Sequence, residues 1–159
     1  MNNSYITIIK EKRTVLSRKR IPLNQNECTA DFRIGVPFEQ NLQNYGYSII
    51  LSAFTREITA NGYITQLGIF HDNMFNQFNL ASDLMEPFRA LVDREVLNMK
   101  LGKFEHDEKM QLVNVLNQEV QIDGKIQYVN NAVKIYCKSI FDALNEDDCS
   151  LIRFYKIEL

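Results

Sequence analysis

A mainly α domain with a small β-hairpin, preceded by a short, β-rich, basic segment, is the fold class this sequence predicts. Three observations predict it. Apolar residues recur every three to four positions across residues 42–58, 80–99 and 129–144, the stripe of helices laid on a core. Asp123-Gly124 separates two alternating stretches, the signature of a two-residue hairpin turn. The first 23 residues gather Lys10, Lys12, Arg13, Arg18, Lys19 and Arg20 against the single acid Glu11.

In chain order, Tyr5, Ile6, Thr7, Ile8 and Ile9 read as a short strand, and Thr14, Val15 and Leu16 as a second that pairs with it. Residues 21–41, with Pro22, Gly35 and Pro37, read as an irregular connector. The sequence thus divides into a basic segment, 1–41, and a helical domain, 42–159. The first helix carries Leu42, Tyr45, Ile49, Ala53, Phe54 and Ile58 and stops at Asn61-Gly62, where glycine takes the left-handed position after a helix end.

Residues 63–78 are aromatic and Asn-rich without a helical period. A second helix follows over 80–99, with Pro87 expected near its first turns, where a missing N–H costs least. A third opens at Glu105-His-Asp-Glu108, acids suited to the positive end of a helix dipole. The hairpin over 120–128 leads into a fourth helix through residue 144, and the tail from Leu151 is ambiguous.

The 159 residues hold 18 Lys plus Arg against 20 Asp plus Glu, so a polycation clamped on nucleic acid is excluded while a local basic patch is not. Three cysteines without CxxC spacing argue against a disulfide framework or a zinc knuckle. No apolar run approaches the ~20 residues of a membrane span. The mixed charge of the first twenty residues is not that of an export signal, which points to a cytoplasmic protein without a membrane partner.

Of the two histidines, His106 falls in an acidic first turn, whereas His71 ends the run Leu67-Gly-Ile-Phe70 and precedes Asp72 and Asn73. Asp83 and Glu86, three apart, share one helix face. An imidazole delivered to paired carboxylates makes an N,O site for a divalent cation, and Arg89 on the same face holds a carboxylate in place. Two plainer readings stand beside it: Ser82-Asp83 as a helix N-terminus with Glu86 at the reciprocal capping position, and Glu86 with Arg89 as a surface ion pair. Likewise Phe75 and Phe78 read either as base-stacking rings or as lids on the core.

Asn44-Tyr-Gly-Tyr-Ser48, Leu67-Gly-Ile-Phe-His-Asp-Asn73, Phe75-Asn-Gln-Phe-Asn-Leu-Ala81, Asp83-Leu-Met-Glu-Pro-Phe-Arg89 and Val92-Asp-Arg-Glu95 resemble, in order, the CRISPR-associated adaptation integrase (Cas-one) family, in its type II flavour. The resemblance runs over about residues 42–144 and covers the carboxy-terminal helical half of such an integrase. It implies a divalent cation, Mg or Mn, held by His71, Glu86 and Asp83, which are also the catalytic positions, and transesterification on DNA. It also implies that Tyr45 lies near that site. The family's first glutamate, in an Arg-Glu-Gly-like helix start, has no counterpart here. The upstream glutamates Glu11, Glu27 and Glu39 lack its surroundings.

The expectation that follows is a truncated, stand-alone, non-integrating relative. It would bind a full-length integrase or its adaptation complex as homodimer or heteromer and inhibit or modulate spacer acquisition. The alternatives are a metal-dependent DNA endonuclease or integrase, and a DNA-binding accessory module using Lys10, Lys12, Arg13, Arg18, Lys19 and Arg20 with Tyr45 and Arg89 on phosphates.

Overall fold

Helix α1 (Pro37–Ala60) is the axis on which every other helix leans, in a computed structural model that describes residues 37–99 and 106–156. Side chains of residues 37–39, Glu39 among them, and the basic residues 10–20 with their expected strands lie outside the described residues. The helix starts at Pro37, ahead of the expected Leu42, because a proline at the first helical position gives up no hydrogen bond. Leu42, Ile50, Phe54 and Ile58 lose all exposure along its inner face. Gly46 brings α1 against its neighbours, since a Cβ there would stand 2.4 Å from Val92 Cγ1. The helix ends as expected, with Gly62 at φ +80°.

The expected second helix is in two pieces, α2 (Asn79–Met85) and α3 (Arg89–Asn98), joined by a 3₁₀ turn over Glu86–Phe88. Pro87 falls well inside rather than in the first turn. Having no N–H, it cannot close the bond to the Asp83 carbonyl, and the ladder tightens to the 3₁₀ pattern. Tyr155 donates its hydroxyl to the Pro87 carbonyl at 2.7 Å.

Helix α4 (His106–Val113) follows the expected start and continues as a 3₁₀ turn over Asn114–Asn117. Strands β1 (Glu119–Ile122) and β2 (Lys125–Tyr128) pair antiparallel around Asp123 and Gly124, at φ +52° and +73°, the positive angles a type I′ turn demands. Helix α5 (Val129–Glu146) ends on left-handed Asp147. The ambiguous tail resolves into a short 3₁₀ turn and strand β3 (Tyr155–Lys156), which pairs with β1 and gives the sheet order β2-β1-β3.

The core is one cluster, and its centre is aromatic. Phe54 meets Phe88 edge-on at 5.2 Å, and Phe88 lies 4.4 Å from Tyr155. Tyr63 stacks on Phe141 at 3.9 Å, fixing the start of the loop that precedes α2. No described helix is long and apolar enough to cross a membrane.

Candidate functional site

The stretch between α1 and α2, residues 63–78, carries the site, and its backbone is tied down along its length. Thr65 receives the Leu80 N–H on its carbonyl and donates its hydroxyl to the Gln77 carbonyl at 2.7 Å. Asn79, 3% exposed, donates its amide to the carbonyls of Gln66 and Asn73, at 3.0 and 2.8 Å, and so closes the loop at both ends. Between those ends the chain turns at Gly68. A Cβ there would lie 2.3 Å from the His71 carbonyl oxygen and 2.8 Å from Asp83 Oδ2, so only glycine fits.

Asp83 is what the loop closes on. Its carboxylate accepts backbone N–H groups from Ile69 at 2.6 Å, Phe70 at 2.8 Å and His71 at 3.1 Å. It also bonds His71 Nδ1 at 2.5 Å. With the Asp83 oxygen as acceptor of this bond, Nδ1 is its donor and Nε2 is the ring nitrogen left for another partner. The imidazole is 47% exposed and Asp83 only 7%. This is the carboxylate–histidine pairing that orients an imidazole toward a ligand.

Glu86 has different surroundings from Asp83 despite the spacing of three. It opens the 3₁₀ turn, 44% exposed, and pairs with Arg89 at 3.3 Å. The capping reading fails, because α2 begins at Asn79 without a side-chain cap. The ion-pair reading describes the contact but not the whole residue. Arg89 lies over the Tyr47 ring, 4.9 Å from its centroid, and its Nε is buried without a hydrogen-bond partner. Tyr47 in turn donates to Asp93 at 2.5 Å, and Gln43 reaches the same carboxylate at 3.3 Å. Burial first, then the bond to Asp93, hold the Tyr47 phenol above its ordinary range, so it stays a neutral donor.

This second cluster escaped the sequence reading. The signal available for it was Asp93 one turn beyond Arg89. Tyr45, expected beside the site, is half-buried against the core. The residues 10–20 expected on phosphates lie outside the described residues.

The donor set can be tested against a divalent cation. Among the described residues no group of three or more His, Cys, Asp or Glu side chains is placed to hold one. Asp83 already has four donors on it, which leaves His71 Nε2 and Glu86, the latter paired with Arg89. Two donors do not make a site for a hard cation that takes six oxygen or nitrogen ligands. The described residues therefore do not fit a resident Mg or Mn.

Residues 41–119 match the family model of CRISPR associated protein Cas1. Those residues carry a Cas1-type family domain. The CRISPR-associated endonuclease Cas1 of Neisseria meningitidis serogroup C (strain 8013) is 33% identical over 85 residues, 50% of this chain and 28% of that protein. A CRISPR-associated endonuclease Cas1 of Francisella tularensis subsp. novicida is 29% identical over 103 residues, 63% of this chain and 32% of its own length. An Archaeoglobus fulgidus counterpart is 33% identical over 99 residues, 54% and 29%. The chain thus spans about a third or less of these Cas1 relatives. A casposase bound to an integration product shares the fold, with TM-score 0.59 over 69% of this chain and 38% of that one, at 23% identity.

The match to Cas1 contains the loop, His71, Asp83, Glu86 and Arg89, and reaches β1. Helix α5 and the rest of the sheet complete the helical fold outside it.

Proposed function

We propose that this chain takes part in CRISPR adaptation as a Cas1-type binding module that joins the adaptation machinery, a full-length integrase included, and lowers or tunes spacer acquisition instead of performing integration. The observation that supports this reading is the state of Asp83. Its carboxylate is spent on the loop backbone and on His71, which leaves the described residues short of a cation's donor set. A module that keeps a Cas1 fold without that set offers binding faces and no chemistry. DNA enters as a partner on the same footing, since the casposase with this fold was captured on an integration product.

The test is an integration assay with a type II Cas1-containing adaptation complex, into which the purified chain is titrated. Integrated product falls with added chain, a complex forms by gel filtration, and His71→Ala inhibits as well as the parent. Unchanged product with no complex overturns the proposal.

A second reading, a metal-dependent endonuclease or integrase, is favoured by one feature: His71 is oriented with Nε2 outward by Asp83. It predicts Mg- or Mn-dependent strand cleavage or joining that His71→Ala abolishes. No activity across both metals and branched substrates removes it.

A further inference from the structure

Three large apolar side chains of the loop, residues 63–78, stand in water: Met74 is 88% exposed, Phe75 85% and Phe70 77%. Phe75 is therefore not a lid on the core. Side chains of this size in a loop with free backbone would fold back onto the protein to escape water. Here the backbone is held. Thr65 donates to the Gln77 carbonyl, Asn79 to the Gln66 and Asn73 carbonyls, and Asn73 Oδ1 accepts the Phe75 N–H at 3.0 Å. The result is a fixed apolar knob, and such presentation serves a contact with another molecule.

A matching socket lies beside it on the same chain. An open groove of about 520 Å³ runs along α1, lined by Leu51, Ser52, Thr55, Ala60 and Phe78. Its volume is ample for a phenyl ring and a methionine together. Arg56, held by Glu57 at 3.5 Å and Asn130 at 2.6 Å, adds a polar wall, so the groove has the apolar centre and polar rim of an interface. Phe75 and Phe78 are three residues apart, which separates knob and socket by at most about 11 Å of backbone.

A chain that carries knob and socket side by side is complementary to itself. Turning one copy about a two-fold axis between them sets each knob in the other copy's groove, a closed contact that cannot run on into a filament. Side chains of this kind present about 200 Å² each, so the three from both copies withdraw about 1,000 Å² from water, and the groove walls add to that. The total reaches the ~1,200 Å² at which specific, stable interfaces begin. We propose that the occupant of the groove is a second copy of this chain, which inserts Phe75 and Met74 beside Phe78 and receives the same residues in return. The contact needs neither DNA nor an integrase, so it stands or falls apart from the role in adaptation.

The chain contains no tryptophan, so Phe75→Trp places a lone reporter in the knob and leaves the core untouched. In the full chain its emission shifts to the blue as concentration rises through the micromolar range, in step with a sedimenting mass that goes from one chain to two. Phe75→Ala removes a ring at both ends of a two-fold contact, so about tenfold per ring becomes about a hundredfold in the dimer constant. Ser52→Phe, at an exposed position, fills the groove and weakens the dimer comparably. Mixing Phe75→Ala with Ser52→Phe restores a dimer, because the intact knob of one finds the open groove of the other, which two misfolded chains could not do. The proposal is overturned if that mixture stays monomeric or if Phe75→Ala dimerises like the parent. It is equally overturned if the reporter is blue at every concentration, the mark of cover from within the chain, or answers only to an added oligonucleotide or Cas1 integrase.

Discussion

Replacing Asp83 by alanine separates two meanings of a buried carboxylate, because they predict stability changes of opposite sign. A carboxylate kept for a cation repels its neighbours when the cation is removed, so deleting it in chelator raises stability. A carboxylate that ties down a loop lowers stability when deleted. The structure argues for the second. Asp83 accepts from Ile69, Phe70 and His71 backbone N–H groups and from the His71 imidazole. Hydrogen bonds to a charged group contribute about 1.5–3 kcal/mol each, and the full loss applies only where water cannot replace the partner.

Phe70 and His71 are exposed, so their N–H groups find water, while the half-buried Ile69 N–H and part of the imidazole bond do not. The net loss is about 3 kcal/mol, or about 6–12 °C in the unfolding midpoint of a domain this size. Thermal unfolding of Asp83→Ala in EDTA measures it, and amide exchange at Ile69, Phe70 and His71 accelerates in parallel. A variant as stable as the parent or more so, with those amides still protected, refutes the reasoning. Asp83→Asn sharpens the result. The amide keeps the shape but turns an N–H toward backbone donors, so it recovers little of the loss.

Three further outcomes are expected. Gly46→Ala forces a Cβ to within 2.4 Å of Val92 Cγ1 and costs about 1–3 kcal/mol by urea unfolding, and Val92→Ala in the same chain recovers part of it. Gly68→Ala meets the His71 carbonyl at 2.3 Å, a backbone atom that cannot rotate away. It therefore shifts the His71 imidazole resonances, and no single side-chain deletion restores them. Burial first, then the nearby Glu57 charge, push the Cys137 thiol from 9.0 up to about 12. Because the folded chain holds that proton more tightly than the unfolded chain, the contribution is complete below pH 9.0 and is lost as pH climbs toward 12. The unfolding free energy from urea titrations falls above pH 9.0 by at most about 1.4 kcal/mol per pH unit from this group, and Cys137→Ala makes the fall shallower; an identical fall contradicts the assignment.

Much of the fold is legible because it rests on patterns that act locally. The α5 stripe of Val129, Ala132, Val133, Tyr136, Cys137 and Ile140 is buried as its period requires, and Asp123-Gly124 turns the hairpin as its backbone preferences require. The second helix is where periodicity misleads. Its apolar stripe runs unbroken through Leu84, Phe88 and Leu91, which are buried, yet Pro87 removes one ladder bond and a 3₁₀ turn intervenes. Strand β3 was illegible for another reason: two residues have no period, and they become a strand only because β1 has a free edge beside them.

The candidate site shows where helical arithmetic stops informing chemistry. A spacing of three puts Asp83 and Glu86 on neighbouring ridges, but the chain that arrives from the far side decides what each carboxylate meets. Over Asp83 passes the turn at Gly68, bringing three backbone N–H groups that no spacing rule encodes. Over Glu86 nothing comparable passes among the described residues, and Arg89, pinned on Tyr47 by its stacking, becomes its partner. Two acids that look equivalent in sequence are thereby divided, one into the scaffold of a loop and one onto the surface. His71 depends on both Gly68 and Asp83, so substitution at either acts through the imidazole's orientation before it acts through any bound ion. A mutational loss of function at Asp83 is accordingly no evidence for a metal ligand unless amide exchange in residues 69–71 stays as it was.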